Sequence, residues 1–153
     1  RQRQMCIRDS TTGERLKGYR QALREAEIPF QKEYITYGAY STASGYERVR
    51  HIIEAYPETD AIFAGADTIA IGVLRALREL NIPVPGQVSV LGFDNIMLSA
   101  DLTPTLTTVA QPIYEMGYRA ARKLLALIGG DPEGAKSECM STTLVQREST
   151  RSR

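Results

Sequence analysis

The stretch that decides the fold is VSVLGFDN, from Val88 to Asn95. Its first six residues are nearly all apolar, and this composition is typical of a strand in a parallel sheet that is covered on both faces. An aspartate and an asparagine follow directly, so polar groups stand at the carboxyl end of a buried strand. Ligands of open α/β sheets bind at that end of the strands. The stretch therefore predicts both a doubly covered sheet and the edge of the sheet where a site should lie.

Helices and strands alternate along the rest of the chain. Apolar residues recur at helical spacing in four segments, with β-branched and aromatic runs between them. Because the connections are short, this alternation predicts the α/β class, a parallel sheet flanked by helices. Ser41 or Thr42 is the expected cap of the second helix, and Asp67 or Thr68 opens the third. The candidate strands are Glu33–Gly38, Ala61–Gly65, Val88–Phe93, the run before Gln111 and STTLVQRE at 141–148.

Length and composition predict one soluble domain. Of the 153 residues, 42% are hydrophobic and 24% are charged, and no apolar run approaches the ~20 residues that a membrane span needs. The formal net charge is +1, and Lys and Arg are spread along the helices. We therefore expect no nucleic-acid surface on this chain itself.

The cysteines and the first residues bear on the compartment. Cys6 and Cys139 lie far apart without CxxC spacing, which argues against a zinc site and a disulfide framework and favours a reducing cytoplasm. Residues 1–9, RQRQMCIRD, have no helix or strand pattern and lack the order of a signal peptide. We expect this segment to be disordered or non-native.

Four polar or aromatic residues are candidates for a ligand site. Asp94 could accept hydrogen bonds from sugar hydroxyls or a base nitrogen, or could simply cap the following turn. Arg15, near the start of the first helix, could offer a guanidinium fork to a ligand or stay solvated. Tyr40 could stack on a ring or pack on the rim of the sheet. Gln111 lies in PTLTTVAQP, at the junction between a strand and a helix opened by Pro112.

The sequence lacks the parts of a catalytic or metal site. His51 is the single histidine and lies in the middle of a predicted helix. Neither a nucleophile with its base, nor metal-ligand spacing, nor GxGxxG, nor a P-loop occurs in the sequence. We expect a protein that is not an enzyme and uses no cofactor.

Six motifs, in order, resemble the lactose/galactose-repressor (LacI/GalR) family of transcriptional regulators. They are ERLKGYRQAL, AIFAGADTIAIGVLRAL, IPVPGQVSVLGFDN, PTLTTVAQP, MGYRAARKLL and TLVQREST, and they span Ser10 to Thr150. The resemblance implies a domain with the type I fold of periplasmic sugar-binding proteins, in which two subdomains close on a small ligand. It also implies a DNA-binding headpiece and a hinge helix that precede the region resembled here and are absent from this chain.

The same resemblance implies a division of the chain. Residues 10–110 would form most of the C-terminal subdomain, 111–138 a crossover and a helix of the N-terminal subdomain, and 139–153 the return strand and tail. The helix Ile113–Ile128 would then lack most of its sheet, and we expect aggregation or partial disorder around it.

The resemblance also assigns residues. Arg15, Tyr40, Asp94 and Gln111 match ligand positions of the family, whereas Asp67 is expected to cap a helix. Ala66 stands where several members have a sugar-binding asparagine, so the ligand need not resemble lactose. The family dimerises through the helix corresponding to Thr68–Leu80 and the segment after GFDN. The implied interface residues are Val73, Leu77, Met97 and Leu98, with local packing under the loop as the alternative for the last two.

We therefore expect a cytoplasmic fragment that senses a ligand and dimerises, from a bacterial repressor or related regulator. Its effector would be a sugar, a sugar phosphate or a nucleobase, its partner a second copy, and DNA would be reached only through the headpiece. A periplasmic sugar-binding protein of a transporter is the alternative, and an enzyme of flavodoxin-like fold is a third reading.

Overall fold

The computed structural model describes residues 10–131 and 136–151. The expectation for residues 1–9, which include Cys6, falls outside the described residues. In chain order the elements are α1 (Ser10–Glu25), α2 (Thr42–Ala55), β1 (Ala61–Phe63), α3 (Asp67–Glu79), β2 (Ser89–Asp94), β3 (Thr107–Ala110), α4 (Ile113–Ile128) and β4 (Thr143–Val145), with short 3-10 helices at Lys32–Tyr34 and Met97–Ala100.

Within the described residues, four strands form one sheet in the order β1-β2-β3-β4. The pairs β1–β2 and β2–β3 are parallel, and β4 runs antiparallel to β3. This confirms the α/β class and the helix-flanked sheet. Parallel pairing also aligns the carboxyl ends of β1, β2 and β3 along one edge.

Local signals in the sequence set the helix boundaries. The Ser41 hydroxyl accepts a hydrogen bond from the Ser44 amide at 3.2 Å, which confirms Ser41 as the cap of α2. Helix α1 ends at Glu25, and Glu27 beyond it has a φ of 56°, just before Ile28 and Pro29. Pro112 directly precedes α4, as the junction in PTLTTVAQP predicts.

The strand predicted at Glu33–Gly38 is wrong. A 3-10 turn occupies Lys32–Tyr34, and the described strand β1 pairs with β2 alone. A Cβ atom at Gly38 would lie 2.1 Å from Arg48 Nε and 2.4 Å from Ser44 Oγ, so the segment packs closely against α2. A cavity of about 100 Å³ is lined by Thr36 and Gly38 together with Ile62 and Phe63 of β1. The β-branched and aromatic composition was therefore outweighed by contacts with a helix that follows in the sequence.

Helices α2 and α3 pack closely because both contain glycine at the contact. A Cβ atom at Gly72 would lie 2.0 Å from the Thr42 carbonyl oxygen, and one at Gly45 would lie 2.2 Å from the Ile69 carbonyl oxygen. The backbones meet where side chains would hold them apart. The core beside this contact includes Val49, Ala70, Val73, Leu77, Val88, Val90 and Leu106.

This packing corrects the assignment of Val73 and Leu77 to a dimer interface. Their exposed fractions are 4% and 0%, and both belong to the core of this chain. A side chain buried within one chain presents no surface to a second copy.

The C-terminal tail is inserted between β2 and β3. Ser149 is fully buried, its carbonyl accepts from the Val90 amide at 2.8 Å, and its hydroxyl donates to the Val90 carbonyl at 2.6 Å. The same hydroxyl accepts from the Thr107 amide at 2.8 Å. The tail thus satisfies backbone groups at the point where the two strands separate.

Helix α4 and strand β4 leave apolar side chains uncovered. No residue of α4 is buried, and exposed fractions reach 83% at Tyr114, 75% at Ile128 and 68% at Leu125. Leu144 of β4 is 63% exposed. Among the described residues, no helix has the length and apolar character needed to cross a membrane.

The glycine contact between α2 and α3 can be tested by adding one methyl group. We expect Gly72→Ala to lower the free energy of unfolding by about 2 kcal/mol or more, because the new Cβ atom would meet backbone atoms that cannot move independently. Urea denaturation measures this change. Gly117→Ala in α4 is the matched control, since nothing lies within 4 Å of its added Cβ atom. The control should be unchanged or up to about 1 kcal/mol more stable, and an equal loss in both variants would contradict the packing argument.

Candidate functional site

Asp94 and Gln111 meet at the carboxyl edge of the sheet. Asp94 ends β2 and pairs in register with Ala110, the last residue of β3. The next residue, Gln111, therefore lies beside it, and Gln111 Nε2 donates a hydrogen bond to Asp94 Oδ1 at 2.7 Å. Two of the four residues predicted for a ligand site are in direct contact.

Arg15 reaches the same edge from α1. Its Nη1 donates to the carbonyl of Gly65, just after β1, at 2.7 Å. The guanidinium carbon lies 3.9 Å from the centre of the Phe93 ring. Since Phe93 directly precedes Asp94, Arg15 is held close to the carboxylate, where its charge acts on Asp94. The guanidinium is oriented by one backbone acceptor and one aromatic face.

Burial and nearby charges affect the Asp94 carboxyl group in opposite directions. Desolvation is the largest effect and raises the pKa of Asp94, and the charge of Asp67 raises it further. The hydrogen bond from Gln111 and the charge of Arg15 act to lower the same pKa. The net shift is upward, so Asp94 is an acceptor whose charged form has lost part of its hydration.

The turn that follows β2 has an unusual backbone. Asp94 has a φ of 116° and Asn95 a φ of 54°, both in a region that side chains disfavour. The Asn95 amide donates to Thr108 Oγ1 at 3.3 Å, and Arg147 Nη2 donates to Asn95 Oδ1 at 2.8 Å. Strained backbone of this kind persists where surrounding contacts hold it, and it concentrates at functional sites.

Asp67 lies beneath this turn and is not the helix cap that the sequence predicts. The capping position of α3 is Ala66, and Asp67 is the first residue of the helix and fully buried. Its carboxylate accepts from Thr108 Oγ1 at 2.6 Å, from Ser99 Oγ at 2.5 Å and from the Ile96 amide at 3.0 Å. The side chain joins β3 to the segment after the turn and does not cap α3.

A glycine in β2 makes room for the Asp67 carboxylate. A Cβ atom at Gly92 would lie 2.2 Å from Asp67 Oδ1. A glycine within an otherwise apolar buried strand indicates the close approach of another group, and this was the available signal for the role of Asp67.

Tyr40 lies in the loop before α2, directly ahead of the Ser41 cap, and is 47% exposed. Its place in the same site stays a prediction.

Sequence reasoning missed Arg147, Thr108 and Phe93. Arg147 lies more than fifty residues from the turn it contacts. Two adjacent threonines in a buried strand were the visible hint of a polar network, because buried hydroxyl groups need partners. Among the described residues, no group of three acidic, histidine or cysteine side chains is arranged to hold a metal ion.

Comparison with known proteins defines the class of the chain. A family model described as a periplasmic binding protein-like domain matches residues 3–150. The HTH-type transcriptional repressor PurR of Photorhabdus laumondii is 36% identical over 140 residues, which is 92% of this chain and 41% of PurR. The chain therefore spans about two fifths of the length of that relative.

Solved structures agree with the match. The transcription regulator GntR from Chromobacterium violaceum superposes with a TM-score of 0.86 at 32% identity, over 93% of this chain and 53% of GntR. The regulator CelR in complex with cellobiose gives a TM-score of 0.81 at 34% identity, over 89% of this chain and 42% of CelR. The chain belongs to the periplasmic binding protein-like domain family, within the group formed by the LacI-family regulators. None of the relatives named here is an enzyme.

The Asp94 environment predicts a pH dependence of stability. The folded pKa is raised above the ordinary 3.8, so the folded state retains a proton that the unfolded chain has already lost. Wild-type stability therefore falls as pH rises from about 4 through the folded pKa of Asp94. Asp94→Asn lacks this loss, so its stability relative to wild type should rise between pH 4 and pH 7 in urea denaturation.

Glu148→Gln is a control of opposite sign. The Thr105 amide, the largest cause, and the Thr105 hydroxyl lower the pKa of Glu148, so its stabilising contribution is present above its unfolded pKa and is lost as pH falls through the folded value. This variant should be less stable than wild type at pH 7, and the difference should shrink on acidification. If the stabilities of the two variants relative to wild type changed with pH in the same way, the causes assigned to the two pKa shifts would be contradicted.

Proposed function

We propose that this chain is the C-terminal part of the effector-binding domain of a bacterial DNA-binding transcriptional regulator. The observation that carries the proposal is the cluster of Arg15, Asp94 and Gln111 at the carboxyl edge of the sheet. Open α/β sheets bind ligands at this edge. The LacI-family relatives favour a regulator over the periplasmic binding protein of a transporter.

The chain would contribute to two subdomains. Residues 10–110 would form most of one subdomain, 111–138 would cross to the other and add a helix to it, and 139–153 would return. The uncovered apolar side chains of α4 and Leu144 support this division, because they need a partner surface. A second subdomain in the longer protein would cover them and close the cleft over Asp94.

The cluster favours a ligand with several hydrogen-bonding groups. Asp94 is a partly dehydrated acceptor that suits hydroxyl or ring N–H donors, and Arg15 supplies donors for a hydroxyl, carbonyl or phosphate oxygen. The Gln111 amide can offer either a donor or an acceptor. A sugar, a sugar phosphate or a nucleobase meets these requirements, and the cellobiose bound to CelR supports a sugar. Tyr40 would stack on the ring of the ligand.

Regulation would follow from differential affinity. A ligand that binds the closed arrangement of the subdomains more tightly shifts the equilibrium toward that arrangement. In the whole protein this shift would alter the spacing of DNA-binding headpieces, which lie outside this chain. We expect the chain to act without a cofactor and in the cytoplasm.

The ligand site can be tested by thermal shift. Sugars, sugar phosphates and nucleobases are screened against the protein, Asp94→Ala and the control Asp101→Ala, which alters an exposed aspartate that is not one of the cluster residues. A binder at a hundred times its Kd should stabilise wild type and the control by about 2.7 kcal/mol. The shift should be absent in Asp94→Ala. A compound that stabilises all three proteins equally would contradict a site at Asp94.

Met97 and Leu98 would form part of a dimer interface. They are 89% and 48% exposed, on the 3-10 helix that follows the turn, and apolar side chains so exposed favour a partner surface. We expect Met97→Lys to weaken dimerisation at least tenfold in sedimentation experiments, since a charge would enter an apolar contact. The control is Gln87→Lys, which adds the same charge at an exposed site. Unchanged dimerisation in Met97→Lys would rule out this surface.

A further inference from the structure

The side chain of Arg147, in the tail after β4, contacts the Asp94–Asn95 turn. Arg147 Nη2 donates to Asn95 Oδ1 at 2.8 Å, and its Nη1 donates to the Leu106 carbonyl at 2.7 Å. The guanidinium fork therefore spans from the end of β2 to the start of β3. Hydrogen bonds from a charged donor are stronger than those between neutral groups, and a planar fork fixes direction as well as distance.

The backbone of Arg147 is anchored independently of this fork. Its amide donates to Thr107 Oγ1 at 2.9 Å, and the Thr107 hydroxyl donates to the Arg147 carbonyl at 3.1 Å. Ser149, two residues later, is buried between the strands. These bonds anchor the tail without the guanidinium. The contact of the Arg147 side chain with Asn95 is therefore not needed to hold the tail.

The turn is restrained from two directions. On one side, the Asn95 amide donates to Thr108 Oγ1 at 3.3 Å and the Ile96 amide donates to Asp67 Oδ2 at 3.0 Å. Arg147 holds the Asn95 side chain. Asn95 has a φ of 54° and Asp94 a φ of 116°, so the turn can relax toward ordinary backbone geometry if these restraints are lost.

We infer that Arg147 is a positioning residue for Asp94: through Asn95 it holds the strained turn in the geometry that presents the Asp94 carboxylate at the edge of the sheet. The inference rests on the proposed function for what Asp94 does, because it deepens that site by adding a residue that does not itself touch the ligand. In the proposed division, Arg147 lies on the segment that returns from the second subdomain. A displacement of that segment would therefore act on the turn that carries Asp94.

The test compares two arginines of the same tail by amide hydrogen exchange, without any ligand. Arg147→Met removes the fork and keeps an apolar stem. Arg151→Met is the matched control, because Arg151 Nη1 also donates to a backbone carbonyl, that of Gly86, at 2.5 Å. The Ala64 amide, bonded to the Leu91 carbonyl in the sheet, reports stability away from the turn.

We expect Arg147→Met to accelerate exchange at Asn95 and Ile96 about tenfold or more relative to Ala64, as the loss of a charge-assisted hydrogen bond predicts. The HN–Hα couplings of Asp94 and Asn95, which report φ, should change in the same variant. Arg151→Met should leave both observations as in wild type. If Arg147→Met does not fold, Arg147→Lys replaces it, and a single ammonium group that cannot span both acceptors should give a smaller change of the same kind.

Two outcomes would overturn the inference. The first is unchanged exchange and couplings at the turn in the Arg147 variant that folds. The second is acceleration at Asn95, Ile96 and Ala64 alike, which would mean that Arg147 supports the whole fold and not the turn. The exchange experiment uses no effector. A failed ligand screen would therefore contradict the proposed function without changing the interpretation of the exchange result.

Discussion

The hydrogen bonds to the buried Asp67 carboxylate are the interaction on which the carboxyl edge of the sheet depends. Asp67 begins α3, yet it accepts from Thr108 on β3, from Ser99 and from the Ile96 amide. A buried carboxylate is stable only where such donors compensate its lost hydration. One side chain therefore fixes α3, β3 and the segment after β2 relative to one another, with Gly92 leaving the space that it needs.

The candidate site is built on this support. The turn at Asp94 and Asn95 lies between β2 and the segment that Asp67 holds, and it keeps a backbone geometry that is unfavourable in isolation. Arg15 and Gln111 then reach the same edge from α1 and from the end of β3. The Met97–Leu98 surface belongs to the same segment as Ser99, so the candidate ligand site and the candidate interface share one buried anchor.

The sequence predicted what depends on local pattern. Alternating periodicities predicted the sheet, its flanking helices and the Ser41 cap, and parallel pairing placed Asp94 beside Gln111. The errors concern contacts between one segment and another, which the pattern within a single segment does not show. Val73 and Leu77 face the core because α2 packs on α3, and the Glu33–Gly38 segment is held by α2 instead of pairing as a strand. Gly92 indicates the close approach of another group but not which group it is, and the contacts of Asp67 and Arg147 with the turn span 29 to 52 residues.

The most direct test of this account is the stability of Asp67→Asn. The amide keeps the shape of the side chain but replaces one acceptor oxygen by a donor, so a buried donor loses its partner. We predict a loss of about 2–4 kcal/mol in urea denaturation, against a change within about 0.5 kcal/mol for Asp101→Asn at an exposed site. Exchange at the Ile96 amide should accelerate with it. A change in Asp67→Asn no larger than in the control would contradict the claim that this carboxylate holds the carboxyl edge together.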